Sequence, residues 1–299
     1  MCTGWEQARH IVRDVFQIPD LLSLVLELTP KFPGQIQNKS WYGWASQAIL
    51  LEAVRQVFSP KLSQSMHLDN LRRAYTASSL YLEGEISRSL AAERRYFLRF
   101  TALNEECARA LISTTQPGQP LCPGSQLNLS GLQMRIVGIY VQHLQHMLAQ
   151  TSSYECLFDS TARNAASLNE RITFRLGSAT FFKSTDTGGF QYEPTPALVF
   201  GSLFERWKLY SSVRASGAEF LEYVDQSVSV GDQALELAEV GGKYKRQGAV
   251  GTVTYISADP QSQYWVFAHV LARYALFAGV GKETASGFGQ CWALCDQDI

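Results

Sequence analysis

The sequence predicts an α+β fold made of two tandem ferredoxin-like (RRM-like, βαββαβ) domains. Three observations predict it. The chain of 299 residues is long enough for two domains of ordinary size, each with its own core. Apolar positions alternate between strand and helix spacing in the order strand, helix, strand, strand, helix, strand. The same order then occurs a second time.

The elements follow one by one. "LLSLVLELTP" (21–30) alternates loosely and stops at a proline, as a strand does. After a turn region around Pro33 and Gly34, "WYGWASQAILLEAVRQVF" (41–58) has helical length and spacing and ends before Ser59-Pro60. "YTASSLYLEG" (75–84) and "RRYFLRFTAL" (94–103) read as strands, and "NEECARALIST" (104–114) reads as a helix capped by Asn104. "LNLSGLQMRIVGIYV" (127–141) supplies a further strand. In the second half, "RITFRLGSATFF" (171–182) is a strand, and "TPALVFGSLFERWKLYSS" (195–212) is a helix opened by Thr195 with Pro196 in its first turn. "VSVGDQALEL" (228–237) and "GAVGTVTYIS" (248–257) are strands. "SQYWVFAHVLARYALFAG" (262–279) is a helix ending at Gly279, and "GFGQCWALC" (287–295) is the last strand. The seam falls at about 141–170, where polar segments suit a short helix and a connection. The expected division is an extension over 1–20, an N-terminal domain over 21–150 and a C-terminal domain over 151–299.

With 46% hydrophobic and 18% charged residues the composition is that of a soluble globular protein. No apolar run approaches the roughly 20 residues of a membrane helix, and "MCTGWEQARHIVRD" lacks a signal-peptide pattern. The six cysteines are scattered, with no C-x-x-C pair and no histidine near Cys291 and Cys295, so free thiols in a reducing cytoplasm are expected rather than a metal site. A formal net charge of -1 leaves room for local basic patches. "KYKR" (243–246), Arg72 with Arg73, and Arg94, Arg95 and Arg99 are three such patches.

"ALFAGVGKETASGFGQCW" (275–292) puts four glycines and a lysine into eleven residues straight after a long apolar run. A phosphate-binding P-loop needs G-x-x-x-x-G-K-[ST] between a strand and the following helix. Here Glu283 follows Lys282, Leu276 stands five before Gly281, and the loop follows a helix and precedes a strand. That wiring excludes a P-loop. Glycine also lets backbone approach an extended polyanion and offers amide N–H groups to its oxygens.

"YALFAGVGKETASGFGQ" resembles the C-terminal glycine-rich signature of the RAMP superfamily, specifically the CRISPR-associated endoribonucleases that cut precursor CRISPR RNA within its repeats. "ITFRLGSATFF", "PTPALVFGSLFERW" and "QGAVGTVTYIS" fit the same resemblance in the right order, which covers the chain from about residue 20 onward. The resemblance implies metal-independent cleavage of CRISPR repeat RNA, with no cofactor. It also implies a catalytic histidine ending a proline-led segment after the first helix, with a cation a few residues later. In "SPKLSQSMHLDNLRRAY" those positions fall to His67 and to Arg73 or Arg72. Some family members place a tyrosine in the first helix. Here that region offers Gln47, Leu51 and Glu52, with Tyr42 and Ser46 as further hydroxyls, and the third catalytic role is unassigned.

Of the other histidines, His10 lies in the extension, His143 and His146 would share a helix face without an intervening carboxylate, and His269 sits in an apolar run. The expected RNA path comprises Gly279, Gly281, Lys282, Thr284, Ser286, Gly287 and Gly289 of the glycine loop, together with Lys243, Lys245 and Arg246, with Tyr244 as a stacking aromatic. The expected partner is the CRISPR repeat RNA, with an effector complex as recipient, and the protein a cytoplasmic monomer or homodimer. A non-cleaving RAMP subunit that holds guide RNA is the alternative reading.

Overall fold

The computed structural model describes residues 18–32, 41–68, 73–82, 85–86, 94–183, 188–214, 217–241 and 245–294. Two larger antiparallel sheets with helices packed against them, and one short two-stranded sheet, account for most of these residues. The N-terminal sheet comprises β1 (Leu21–Pro30), β2 (Tyr75–Ala77), β3 (Tyr81–Leu82), β4 (Glu85–Ile86), β5 (Tyr96–Ala102), β6 (Gln126–Leu129), β7 (Leu132–Tyr140) and β8 (Gln150–Ser152). Its order is β4-β3-β5-β1-β7-β6, with β2 also on β5 and β8 also on β1. Helices α1 (Gly43–Val57), α2 (Pro60–Leu68) and α3 (Glu105–Thr114) belong to this half, and α4 (Tyr154–Arg163) follows it. The C-terminal half holds β9 (Arg171–Thr180), the short pair β10 (Phe182–Lys183) and β11 (Phe190–Gln191), α5 (Pro196–Tyr210) and α6 (Gly217–Ser227). It ends with β12 (Val228–Val240), β13 (Arg246–Ser257), α7 (Gln263–Ala278) and β14 (Cys291–Ala293). Its sheet order, β12-β13-β9-β14, is that of a βαββαβ unit.

Local chemistry sets these elements as the sequence predicts. Asn104 accepts from the Cys107 N–H and Thr195 from the Leu198 N–H, closing the starts of α3 and α5. Four features differ. Residues 126–140 form a hairpin rather than one strand, because Ser130 and Gly131 both take positive φ (54° and 97°) and make a two-residue turn. The strand expected over 75–84 is interrupted at Ser78, which instead bridges Gly287 of the glycine loop. α6 is an added amphipathic helix before β12. Residues 142–148 are turns, so His143 and His146 share no helix face, and β8 carries the N-terminal sheet across residue 150 onto β1.

β1 is buried along most of its length because both of its faces are covered, one by α3 and the other by α7 from the second half. α7 is apolar nearly all round, the pattern of a helix with protein on every side. One contiguous apolar core therefore runs through both halves, from Leu21 to Trp292.

Polar bonds register the halves at this seam. Arg99, 1% exposed, donates from Nε and Nη2 to Gln290 Oε1 (3.2 and 2.5 Å) and from Nη1 to the Leu276 carbonyl (3.0 Å). None of these acceptors is a carboxylate, and burial pushes the Arg99 pKa down to about 10. The Thr101 hydroxyl donates to the Phe277 carbonyl at 2.7 Å, and Trp41 Nε1 donates to the Ser286 carbonyl at 3.0 Å. At the outer end of the seam, His146 packs against Tyr81, Phe97 and Tyr140, and its Nδ1 accepts from the Leu148 N–H at 3.0 Å. Burial first, and the Arg99 charge second, push its pKa down to about 4, against the opposing pull of Glu27.

Two outcomes follow. A Cβ on Gly43 would overlap the Ser286 carbonyl oxygen, whereas one on Gly201, inside α5, would meet only Leu221 at 4.0 Å. Gly201→Ala should therefore raise stability by up to about 1 kcal/mol, and Gly43→Ala should lower it by about 1–3 kcal/mol, both read by urea unfolding. The unfolded chain binds a proton at His146 near pH 6.5, well above the folded value of about 4. The stability this group confers is thus complete above pH 6.5 and is lost as pH falls toward 4. Melting temperatures across that window should fall less steeply in His146→Asn than in the wild type.

Candidate RNA-processing site

α2 folds back on α1: the Ser63 hydroxyl donates to the Leu51 carbonyl at 2.7 Å, and Met66 is buried while its neighbour His67 is exposed in the last turn. Arg73 returns from beyond α2, and its Nη2 donates to the His67 carbonyl at 3.1 Å. The structure thus brings His67 and Arg73 together. Arg72 lies outside the described residues. Two further side chains link this corner to the glycine loop, and spacing along the chain gave no sign of either link. Gln47 donates from Nε2 to the Tyr75 hydroxyl at 2.9 Å, and its Oε1 accepts from the Ser286 hydroxyl at 2.9 Å. Burial raises the Tyr75 pKa against the lowering pulls of the Gln47 hydrogen bond and then of the Arg73 charge. Tyr42 and Ser46 are buried, so neither hydroxyl faces a ligand outside.

The glycine loop is spent largely on the protein itself. Gly279 (φ 63°) ends α7, and its N–H donates to the Ala275 carbonyl. Val280 N–H donates to the Gly289 carbonyl, so the two arms of the loop run back to back, and a Cβ on Gly289 would overlap Val280. Gly287, at φ 96°, lets the loop lie against Ser79, Trp41 and Gly43 of the first half. The Gly281 N–H donates to Ser202 Oγ at 2.9 Å, and the Gly289 N–H to the Ala179 carbonyl at 3.1 Å.

The expectation that Thr284 and Ser286 present hydroxyls to RNA is corrected by burial. Thr284, 3% exposed, accepts from Arg206 Nη2, and Ser286 donates to Gln47. Buried Gly279, Gly287 and Gly289 likewise face protein. Lys282 is the exposed cation of the loop, next to half-buried Gly281.

The other basic groups divide by exposure. Arg99 belongs to the seam, while exposed Arg95 pairs with Glu27 at 3.2 Å, and Glu27 in turn accepts from the Tyr140 hydroxyl. Lys245 pairs with Glu239 at 2.7 Å, and Arg246 pairs with Glu283 at 3.1 Å while lying over the Phe190 ring. Ion pairs open to solvent are weak, so phosphate oxygens can displace the Glu239 carboxylate from Lys245. Lys243, Tyr244 and His10 lie outside the described residues. The Nε2 of half-buried His269 lies 2.9 Å from the Asn169 carbonyl, a structural partner. Among the described cysteines, Cys107 and Cys291 are buried free thiols and Cys156 is exposed, while Cys2 and Cys295 lie outside the described residues. Among the described residues no group of three or more His, Cys, Asp or Glu side chains could hold a metal ion, and no helix is long and apolar enough to cross a membrane.

Comparison with known proteins adds sequence and fold. Residues 174–291 match the model of the family "CRISPR-associated endoribonuclease Cas6". Among solved structures, a Cas6 product complex aligns with a TM-score of 0.71 at 24% identity, over 93% of this chain and all (100%) of the other. Cas6 of Thermus thermophilus aligns at 0.68 and 22%, again over 93% and 100%. The product of a Cas6-related gene from Pyrococcus furiosus aligns at 0.59 and 11%, over 93% and 100%. No curated protein matches the chain in sequence. The C-terminal half thus matches the Cas6 family in sequence, and the chain as a whole has its fold of tandem ferredoxin-like domains.

Proposed function

We propose that the protein is a metal-independent endoribonuclease that cuts CRISPR repeat RNA to generate guide RNAs. One observation carries the reading: an exposed histidine, His67, stands at a helix end with the Arg73 guanidinium bonded to its own carbonyl, in a chain whose C-terminal half matches that family. In the reaction the 2′-hydroxyl attacks the adjacent phosphorus and the bond to the 5′-oxygen breaks. A proton must leave the 2′-oxygen and another must reach the departing 5′-oxygen, while charge builds on the non-bridging oxygens. His67 takes the proton-transfer work, since an imidazole can accept a proton on one ring nitrogen and deliver one to a departing oxygen. Arg73 (or Arg72 beside it) stabilises the developing charge. The products are a 2′,3′-cyclic phosphate (or 3′-phosphate) end and a 5′-hydroxyl end.

The RNA path runs over Lys282 and half-buried Gly281 of the glycine loop to Lys245 and Arg246 at the start of β13, with Lys243 as a further cation of the same sequence segment. Residues 279, 284, 286, 287 and 289 act in this path as the frame that holds Lys282 outward, not as direct contacts. The protein works in the cytoplasm and passes its product to an effector complex.

The test is incubation of the full chain with labelled repeat RNA in EDTA. The wild type should make a single cut, and His67→Ala should slow it by about 10²–10⁴-fold with binding retained. Arg73→Ala should cost about 10²–10³-fold. Binding without any cut in the wild type would instead mark a non-cleaving RAMP subunit. For binding, Lys282→Ala and Lys245→Ala should each lessen the slope of log affinity against log salt by about 0.7.

A further inference from the structure

Where the two sheets meet, a cavity of ≈ 20 Å³ lies between Tyr81 and Arg99 of the first half and Gln290 and Trp292 of the second. That space admits a single ligand of about water size. Two polar groups on its wall, the Tyr81 hydroxyl and Trp292 Nε1, are more than nine-tenths buried and have no hydrogen-bond partner within the protein. Burying such groups without a partner is unfavourable, so the wall itself calls for a ligand.

The chemistry of the wall selects the ligand. Indole Nε1–H and guanidinium can only donate. The Arg99 charge meets only the neutral oxygens of Gln290 and Leu276. Two serine hydroxyls on the wall have already been used as acceptors, Ser78 by the Arg99 N–H and Ser79 by the Tyr42 N–H, so each has a proton left to give. Gln290 Oε1 is engaged twice by Arg99, and its Nε2 donates to the Ala77 and Thr284 carbonyls, both at 3.5 Å. Glu27, the buried carboxylate of the same sheet, is held by Arg95 and Tyr140. The cavity therefore offers protons and one positive charge. A water molecule would spend its two protons on hydroxyl oxygens of the wall and leave the Arg99 charge unmatched, whereas a spherical anion accepts from the donors and meets that charge.

We propose that this cavity binds one monovalent anion of chloride size, held by Trp292 Nε1, the Tyr81 hydroxyl and the Arg99 guanidinium. Because the three groups come from both halves, the anion joins the domains and neutralises the seam arginine. Binding to the folded state alone raises stability with ligand concentration. The site is separate from the His67 corner and does not depend on RNA cleavage.

The test uses the full chain without RNA. Crystals grown in sodium bromide should show an anomalous scattering peak in the cavity, within hydrogen-bonding reach of Trp292 Nε1. At matched ionic strength, the melting temperature should be higher in chloride than in gluconate, which is too large to enter, by about 2 °C or more. Tyr81→Phe, which keeps the ring and removes the hydroxyl, should lose most of that difference, as should Trp292→Phe. If Trp292→Phe does not fold, Tyr81→Phe and the bromide peak carry the test. A cavity without anomalous signal, together with equal melting temperatures in the two salts, would mean that water fills it and would overturn the proposal.

Discussion

A guanidinium without a carboxylate sits at the centre of this protein, and much of the seam is arranged to keep it solvated. Arg99 extends from β5 into the space between two sheets, where bulk water does not reach. An isolated buried charge is costly, so oxygen acceptors must be supplied from the protein. Gln290 and the Leu276 carbonyl near the C-terminal end of α7 supply them, and both belong to the other half. Helix ends leave carbonyls without intrahelical partners. Here Leu276, Phe277 and Ala278 give theirs to Arg99, Thr101 and Arg206 in turn.

The glycine loop follows from that arrangement. The chain must leave α7, present its last carbonyls to the first half, and return within a few residues so that Gln290 reaches Arg99. Only a path that doubles back on itself does this, and its close backbone contacts leave no room for side chains at Gly279, Gly287 and Gly289. What resembles a phosphate cradle is first a joint between domains. Its relevance to RNA is indirect: Ser286 holds Gln47, Gln47 holds Tyr75, and the frame leaves Lys282 at the surface near the acidic and basic groups of the β12–β13 hairpin.

Local rules made much of the fold legible. The caps at Asn104, Thr195 and Gly279, the proline-bounded β1 and the apolar α7 all carry signals within a few residues of where they act. The hairpin over 126–140 had its turn dipeptide in view at Ser130-Gly131, and a strong apolar run on either side hid it. α6 was missed because its short amphipathic stripe precedes an unusually long strand. At the candidate site, His67 and Arg73 were found through a family resemblance and their short spacing. Gln47 and Ser286 are 239 residues apart, and Arg99 and Gln290 are 191 apart, so no window along the chain joins either pair. Arg99 read as part of a basic patch for the same reason: sequence shows its charge and not its burial.

The two halves share a wiring diagram, which suggests interchangeable modules, yet the last helix of the second half also roofs the first strand of the first half. Recombination between divergent chains at the middle of the protein would pair a foreign sheet with this α7 and leave an arginine facing the wrong loop. Selection therefore acts on the two domains as one heritable unit. The two halves repeat one topology, while the side chains at their seam are specific to each partner.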